Sequence, residues 1–268
     1  MSRNKHVSVV IVTWNNEDDI KECLDTILKQ DYKNYKVIVF DNASNDKTLE
    51  IVKSYKDSKL ALLTSKKNLY LTGGNNFGIK IALENYNSDF IMVLNPDTKV
   101  EENLISELVK TIESDEQIGA VGPLVKFYQT ENEGNINSAG LIYDGFMQAY
   151  DIGFDEKDNG QYNRIEERWG VSGTCILYRT EMLKQIGLYW KQIKLHLDEV
   201  ELFIRANKKG WKVIFNPNTV VHHRYGISTK QNPDYKMSKA KRKAWLKIAL
   251  KHYRIKSKIA MIKKYLFH

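Results

Sequence analysis

Phe90-Ile91-Met92-Val93-Leu94-Asn95-Pro96-Asp97 joins five consecutive apolar residues to a short acidic turn, and its reading decides the fold. The run is rich in β-branched and aromatic residues and is followed by a proline, which predicts a central parallel strand buried on both faces. In open α/β sheets ligands bind outside the carboxyl ends of such strands, so Asn95 and Asp97 stand at a candidate site. Pro96 ends the hydrogen-bond ladder and turns the chain outward. Asp97 is therefore expected as an exposed carboxylate outside the packed sheet, a hard oxygen ligand suited to Mg2+ or Mn2+ carrying phosphate oxygens. An ordinary Asn-Pro-Asp turn would use the same residues.

Working outward, strand, polar turn and helix recur. Val7 to Thr13 is a strand too apolar to face water and ends in Trp14-Asn15-Asn16. Glu17 to Lys29 carries Ile20, Leu24, Ile27 and Leu28 at helical spacing. Lys36 to Phe40 is a second strand running into Asp41-Asn42-Ala43-Ser44, with a helix through Leu49, Ile51 and Val52 behind it. Leu60 to Thr64 is the third strand, after which Gly73-Gly74-Asn75-Asn76 opens a helix. This alternation means an α/β fold, a mostly parallel sheet with crossover helices on both faces. All the turns leave one end of that sheet, so Asn15, Asp41, Asn76 and Asp97 should converge on one crevice. Gly73 and Gly74 allow close backbone approach before a helix N-terminus, where phosphate is favoured. They form neither a P-loop nor a dinucleotide fingerprint. Asx turns and helix caps explain each residue individually.

The ordered set is more specific than any member. Residues 7 to 228 resemble a family 2 glycosyltransferase of the GT-A fold, in particular the branch containing bacterial rhamnosyltransferases and related polysaccharide enzymes. Val9 to Asn15 resembles that family's opening strand, Asp41-Asn42-Ala43-Ser44 its nucleoside-binding turn, and Asn68 through Gly78 its Asn- and Gly-rich segment. Asn95-Pro96-Asp97 stands at its metal-binding DxD position, and Gly173, Asp198-Glu199-Val200-Glu201 and His223 continue the match in order. The resemblance implies a nucleotide-sugar enzyme in which Thr13, Asn15 and Asp41 hold the nucleoside, thymidine or uridine. It implies that Asp97, with His223 before Gly226-Ile227-Ser228, holds a divalent metal on the diphosphate; His222 is the alternative ligand. Gly74, Asn76 and Asn95 fall on the donor side, and Gly173 and Asp198 on the acceptor side. Two departures matter: Tyr70 stands where the family often has Gly, and Glu199 where its base is commonly Asp.

The second half can be read residue by residue. Ser172 to Tyr178 is a strand that begins at the backbone-only Gly173, and Leu197 to Lys209 is a helix with Leu202, Phe203 and Ala206 on its buried side. Asp198 and Glu201 have capping-box spacing, and Glu201 lies four residues before Arg205, a good helical ion-pair spacing. Glu199 is left without a structural task, and the helix macrodipole favours its ionised form. A base there fits an inverting displacement, with Glu199 taking the proton of an acceptor hydroxyl. A solvated acid on a charged first turn is the alternative. Lys212 to Phe215 reads as a short strand, followed by a turn at Asn216-Pro217-Asn218.

The chain has 268 residues and a net charge of +8, enough for one sizeable α/β core over residues 1–230, with the nucleotide half to about 125 and the acceptor half beyond. Cys23 and Cys175 are widely spaced and read as buried apolar residues in a reducing compartment. No run is long enough to span a bilayer and no signal-peptide core is present, so a cytoplasmic protein is expected. Residues 231–268 form a basic tail in which Trp245, Ile248, Leu250, Tyr253, Ile255, Ile259 and Ile262 interleave with Lys and Arg. The tail reads either as a membrane-surface helix at the inner face of the cytoplasmic membrane, near lipid-linked saccharide acceptors, or as a terminal helix packed on the domain. No nucleic-acid motif accompanies the charge, and no repeat or second domain is evident. Three function classes remain open: a metal-dependent glycosyltransferase, a non-catalytic nucleotide- or carbohydrate-binding relative, and a sugar nucleotidyltransferase. The last should carry a Gly-rich basic triphosphate loop, which is absent, and the second should have lost Asp97 or Glu199.

Overall fold

The computed structural model describes residues 5–144, 149–194, 196–224 and 237–253. In chain order the first half contains β1 (Val7–Thr13), α1 (Ile20–Ile27), β2 (Tyr35–Asp41), α2 (Thr48–Ser54), β3 (Leu60–Thr64), α3 (Tyr70–Tyr86), β4 (Phe90–Leu94), β5 (Thr98–Val100) and α4 (Leu104–Glu113). The second half contains β6 (Ile118–Phe127), β7 (Ile136–Ser138), β8 (Leu141–Tyr143), β9 (Ala149–Asp151), β10 (Glu166–Arg168), β11 (Cys175–Arg179), α5 (Thr180–Ile186), α6 (Asp198–Lys208), β12 (Lys212–His223) and α7 (Met237–His252). The main sheet runs β3-β2-β1-β4-β11-β6-β12-β10, with β5 beside β12 and β7 beside β6. Its first four strands are parallel. The antiparallel β11 joins β4 to β6 and so fuses both halves into one sheet.

Both faces of the sheet are covered, which is why its strands are apolar throughout. Val7, Val9 and Ile11 pack into a core shared with α1, α2 and α4. The alternate residues Val10 and Val12 pack into a second core shared with α3, α5, α6 and α7. The helix α3 begins at Tyr70, a turn earlier than expected, so Gly74 and Gly78 lie inside it. A Cβ on Gly74 would stand 2.6 Å from Val12 Cγ1, and one on Gly78 2.5 Å from Val10 Cγ1. The glycines thus serve to seat α3 flush on β1, and Gly74 lies within the helix rather than before its N-terminus, a correction to its expected place.

The predicted turn at Asn216-Pro217-Asn218 is a bulge within the single strand β12. Asn216 is fully buried there, donating to Thr111 Oγ1 at 2.8 Å. Both cysteines are free thiols in the core.

The described part of helix α7 lies against the domain. Ala244, Trp245, Ile248 and Ala249 are buried, and the Trp245 ring stacks on Tyr143 at 6.1 Å. These four residues pack on the domain, whereas Leu250 on the same helix is 52% exposed. Ile255, Ile259 and Ile262 lie outside the described residues, as does Gly226-Ile227-Ser228. Among the described residues no helix is long and apolar enough to cross a membrane.

Candidate active site

The parallel register sets Thr13 beside Asp41 at the carboxyl ends of β1 and β2. Thr13 Oγ1 donates to Asp41 Oδ1 at 3.2 Å, and the Ser44 N–H donates to Asp41 Oδ2 at 3.2 Å. Asn15 takes a left-handed backbone, φ 55°, which Asn tolerates. Its N–H donates to Ser44 Oγ at 3.0 Å and its Oδ1 accepts the Asn45 N–H at 2.9 Å. Asn42, which sequence reasoning passed over, ties in the segment before α3 by accepting the Leu69 N–H at 2.7 Å and donating to Asn68 Oδ1 at 2.9 Å. Three turns are thereby locked into one platform.

Tyr70 has φ 62°, which explains why glycine suits this place. Its ring is 48% exposed under the Lys194 ammonium, 4.0 Å from the ring centroid. Asn76 departs from the expected crevice role. Its amide donates to Tyr189 O at 2.8 Å and accepts the Tyr189 N–H at 3.0 Å, so both ends bind α3 to the acceptor half.

Asp97 is buried, 6% exposed, and this corrects the expectation of an exposed carboxylate. Pro96 does not release the chain, because β5 begins at once and pairs with β12, matching Thr98 with His223. That pairing brings His223 Nε2 to 3.3 Å from Asp97 Oδ1. His223 Nδ1 lies 3.1 Å from Asn137 Oδ1 and 3.3 Å from Thr174 Oγ1. With Nδ1–H donating to the Asn137 carbonyl, Nε2 turns a lone pair toward Asp97, an arrangement that calls for a proton or a cation between them. The two donors therefore fit a divalent metal. Among the described residues no three His, Cys, Asp or Glu side chains gather as a metal-binding group. His222 faces the other side of β12 and meets the Tyr128 ring edge-on at 5.9 Å. The Arg224 N–H donates to Asp97 O at 3.0 Å, while its guanidinium holds Asp19 at 2.6 Å. Burial pushes the Asp19 carboxyl up despite that partner.

The third component is the start of α6. His196 and Leu197 both have φ 60°, two successive left-handed non-glycine residues in front of the helix. No capping box forms: the N-cap is Leu197, without a side-chain bond, and Asp198 is buried. Glu201 is fully buried and binds Arg205 as its spacing predicts, but also Lys251 and His252 of α7. Burial pushes Glu201 up, yet His252, Arg205 and Lys251 together hold its carboxyl down to about 2.

Glu199 is half-buried against Gly173, where an added Cβ would lie 3.4 Å from Glu199 Cδ. The neighbouring Thr174 joins the two parts, its O accepting the Asn95 N–H at 2.9 Å and its Oγ1 lying 3.3 Å from His223 Nδ1. Burial, then the Asp198 carboxyl beside it, pushes Glu199 up. Asp198 is raised as well, chiefly by burial. Asp151 at the end of β9 adds negative charge facing Glu199 and is itself raised by burial. Neither Asp151 nor Asn137 carried a signal in the sequence beyond its residue type.

The sequence pattern described as Glycosyl transferase family 2 matches residues 8–187. A Methanococcus voltae protein, dolichyl N-acetyl-alpha-D-glucosaminyl phosphate 3-beta-D-2,3-diacetamido-2,3-dideoxy-beta-D-glucuronosyltransferase, is 25% identical over 80% of this chain and 65% of its own length. The N-acetylglucosaminyl-diphospho-decaprenol L-rhamnosyltransferase of Mycobacterium tuberculosis is 24% identical over 91% of this chain and 84% of its own. A crystal structure of GalNAc-T7 with UDP, GalNAc and Mn2+ superposes with a TM-score of 0.70 at 17% identity, over 93% of this chain and 48% of that one. The chain thus spans just under two thirds of the first relative and about half of that structure. The family pattern covers the parallel half, the Asn95-Pro96-Asp97 turn and β11, and the chain belongs to glycosyl transferase family 2, with the GT-A fold.

Proposed function

We propose that this chain transfers a sugar, with inversion, from a uridine- or thymidine-diphosphate sugar to a hydroxyl of a saccharide acceptor, in a metal-dependent reaction of cell-surface glycan assembly. The observation that supports the reading is the position of Glu199 beside Gly173, one residue from Thr174, which bonds the Asn95 backbone and meets His223. Thr13, Asn15 and Asp41 form the nucleoside platform, with Asp41 reading the base or ribose. A divalent cation, Mg2+ or Mn2+, held by Asp97 and His223 would neutralise charge on the departing diphosphate. Glu199 accepts the proton of the acceptor hydroxyl as that oxygen attacks the anomeric carbon. Gly173 leaves room for the acceptor beside the carboxylate, and Asp198 lies next to it. A single base suffices since the nucleoside diphosphate leaves without protonation, unlike a glycosidic oxygen in hydrolysis. By its printed name the Mycobacterium tuberculosis relative acts on a decaprenol-linked acceptor, which supports a lipid-linked saccharide here and work at the cytoplasmic membrane face.

Nucleoside diphosphate release from a panel of UDP- and dTDP-sugars, with soluble and lipid-linked acceptors and with Mn2+ or EDTA, tests the reading. Release that needs both acceptor and metal is expected. Tight donor binding with no release in any arm would instead identify a binding protein, and pyrophosphate exchange a nucleotidyltransferase.

A further inference from the structure

The end of α7 reaches the first turn of α6, two residues from Glu199. Glu201 Oε1 lies 2.7 Å from Lys251 Nζ and 2.8 Å from His252 Nε2, and Oε2 lies 2.7 Å from Arg205 Nη2. Arg205 is shared with the carbonyls of Ile186, Gly187 and Leu188, so it does not serve Glu201 alone. The same stretch of α7 grips the segment that leads into α6. Lys251 Nζ sits 4.1 Å from the centroid of the Trp190 ring, and Lys247 Nζ donates to Gln192 O at 2.6 Å. That segment is fixed at its other end by the Asn76 clamp on Tyr189.

A fully buried carboxylate is costly unless its oxygens are paired, and losing partners leaves charge that only rearrangement can relieve. The element that Glu201 anchors is the first turn of α6, entered through the strained His196 and Leu197. It carries Glu199. We propose that Lys251 and His252 are positioning residues: by clamping Glu201 from α7 they hold Glu199 against Gly173, within reach of the acceptor hydroxyl. The proposal rests on the reading of Glu199 as the base. It makes the C-terminal helix part of the catalytic apparatus, although α7 lies beyond the residues that match the family pattern.

The test uses the full chain and compares Lys251→Met/His252→Leu with the parent, following nucleoside diphosphate release from the panel of UDP- and dTDP-sugars and calorimetric binding of UDP with Mn2+. The rate kcat is expected to fall about tenfold or more, because a displacement near 1 Å already disrupts alignment, with donor KM and UDP affinity within about twofold. Lys251→Arg/His252→Gln keeps a donor at each place and recovers most of the rate. A folded Lys251→Met/His252→Leu protein with parental kcat overturns the proposal, and so does a loss shared equally by kcat and UDP affinity. Should that variant fail to fold, Glu201→Gln removes the charge at constant volume; the same split is expected, and normal kcat there overturns the clamp. Glu199→Gln, run alongside, separates the two ideas: normal turnover in it removes the base, whereas a defect in it with normal turnover in the clamp variants removes the clamp alone.

Discussion

The two ends of the cleft hold their carboxylates in opposite ways. At the β1 and β2 turns, Asp41 is buried but answered on both oxygens by Thr13 and Ser44, and the surrounding turns are cross-tied through Asn15 and Asn42. At the first turn of α6, Glu199 faces a glycine and shares its surroundings with the raised carboxyl of Asp198. A satisfied carboxylate is a fixed recognition surface, already shaped before a ligand arrives. A carboxyl burdened by burial and a like neighbour is a stronger base held in reserve for proton transfer. The contrast predicts that changes at the platform act on binding and changes at α6 act on rate.

The largest effect should come from Glu199→Gln, which keeps the volume but cannot take a proton. Donor turnover should fall about a hundredfold to ten-thousandfold, while UDP affinity measured by calorimetry stays parental; weakened UDP binding would erase the contrast. Asp97→Asn comes next. Metal-dependent UDP binding should drop by at least about tenfold to a hundredfold, the range seen even for outer-shell partners of a metal. Titrations with and without EDTA check this, and an unchanged response to Mn2+ would detach Asp97 from the metal. Asn is the informative substitution, because Asp97 is buried beside His223 and truncation to Ala would also disturb the fold.

Asp41→Ala should weaken UDP and the complete donor alike by about tenfold to a hundredfold, the equivalent of a charged hydrogen bond worth about 1.5–3 kcal/mol. A loss seen only with the complete donor would assign Asp41 to the sugar. The smallest effect concerns stability. The folded Glu199 carboxyl titrates above its unfolded value, so between the two the folded protein binds more protons and stability falls as pH rises. Glu199→Gln should therefore melt a few degrees above the parent near pH 8 and converge with it near pH 4, given about 2–4 °C per kcal/mol. Equal melting temperatures at both pH values would mean the burial cost is negligible.

The parallel half was legible because each strand is a continuous apolar run followed by a polar turn, and α1 and α2 carry their apolar residues at helical spacing. Gly173, Glu199, Asp97 and His223 were named from order and residue type; the sheet sets His223 beside Asp97, and Glu199 lies by Gly173. What escaped depends on distant partners. The burial of Asp97 follows from β5 pairing with β12, more than a hundred residues later. The capping box at Asp198 and Glu201 was a sound local pattern, but Leu197 adopts the left-handed region and Glu201 turns to Lys251 and His252, some fifty residues away. Gly74 read as a phosphate contact because a glycine beside a helix start and one against a strand look alike until the helix is seen to begin at Tyr70.

The kcat–pH profile of donor turnover, measured for the parent, Glu199→Gln and Asp198→Asn, tests the assignment of the base most directly. With Glu199 as base the parent rate rises with pH along a limb displaced above the ordinary carboxyl range. That limb shifts to lower pH in Asp198→Asn, where the neighbouring charge is gone, and is missing from the flat residual rate of Glu199→Gln. A limb that persists in Glu199→Gln and vanishes in a folded Asp198→Asn would make Asp198 the base and contradict the account.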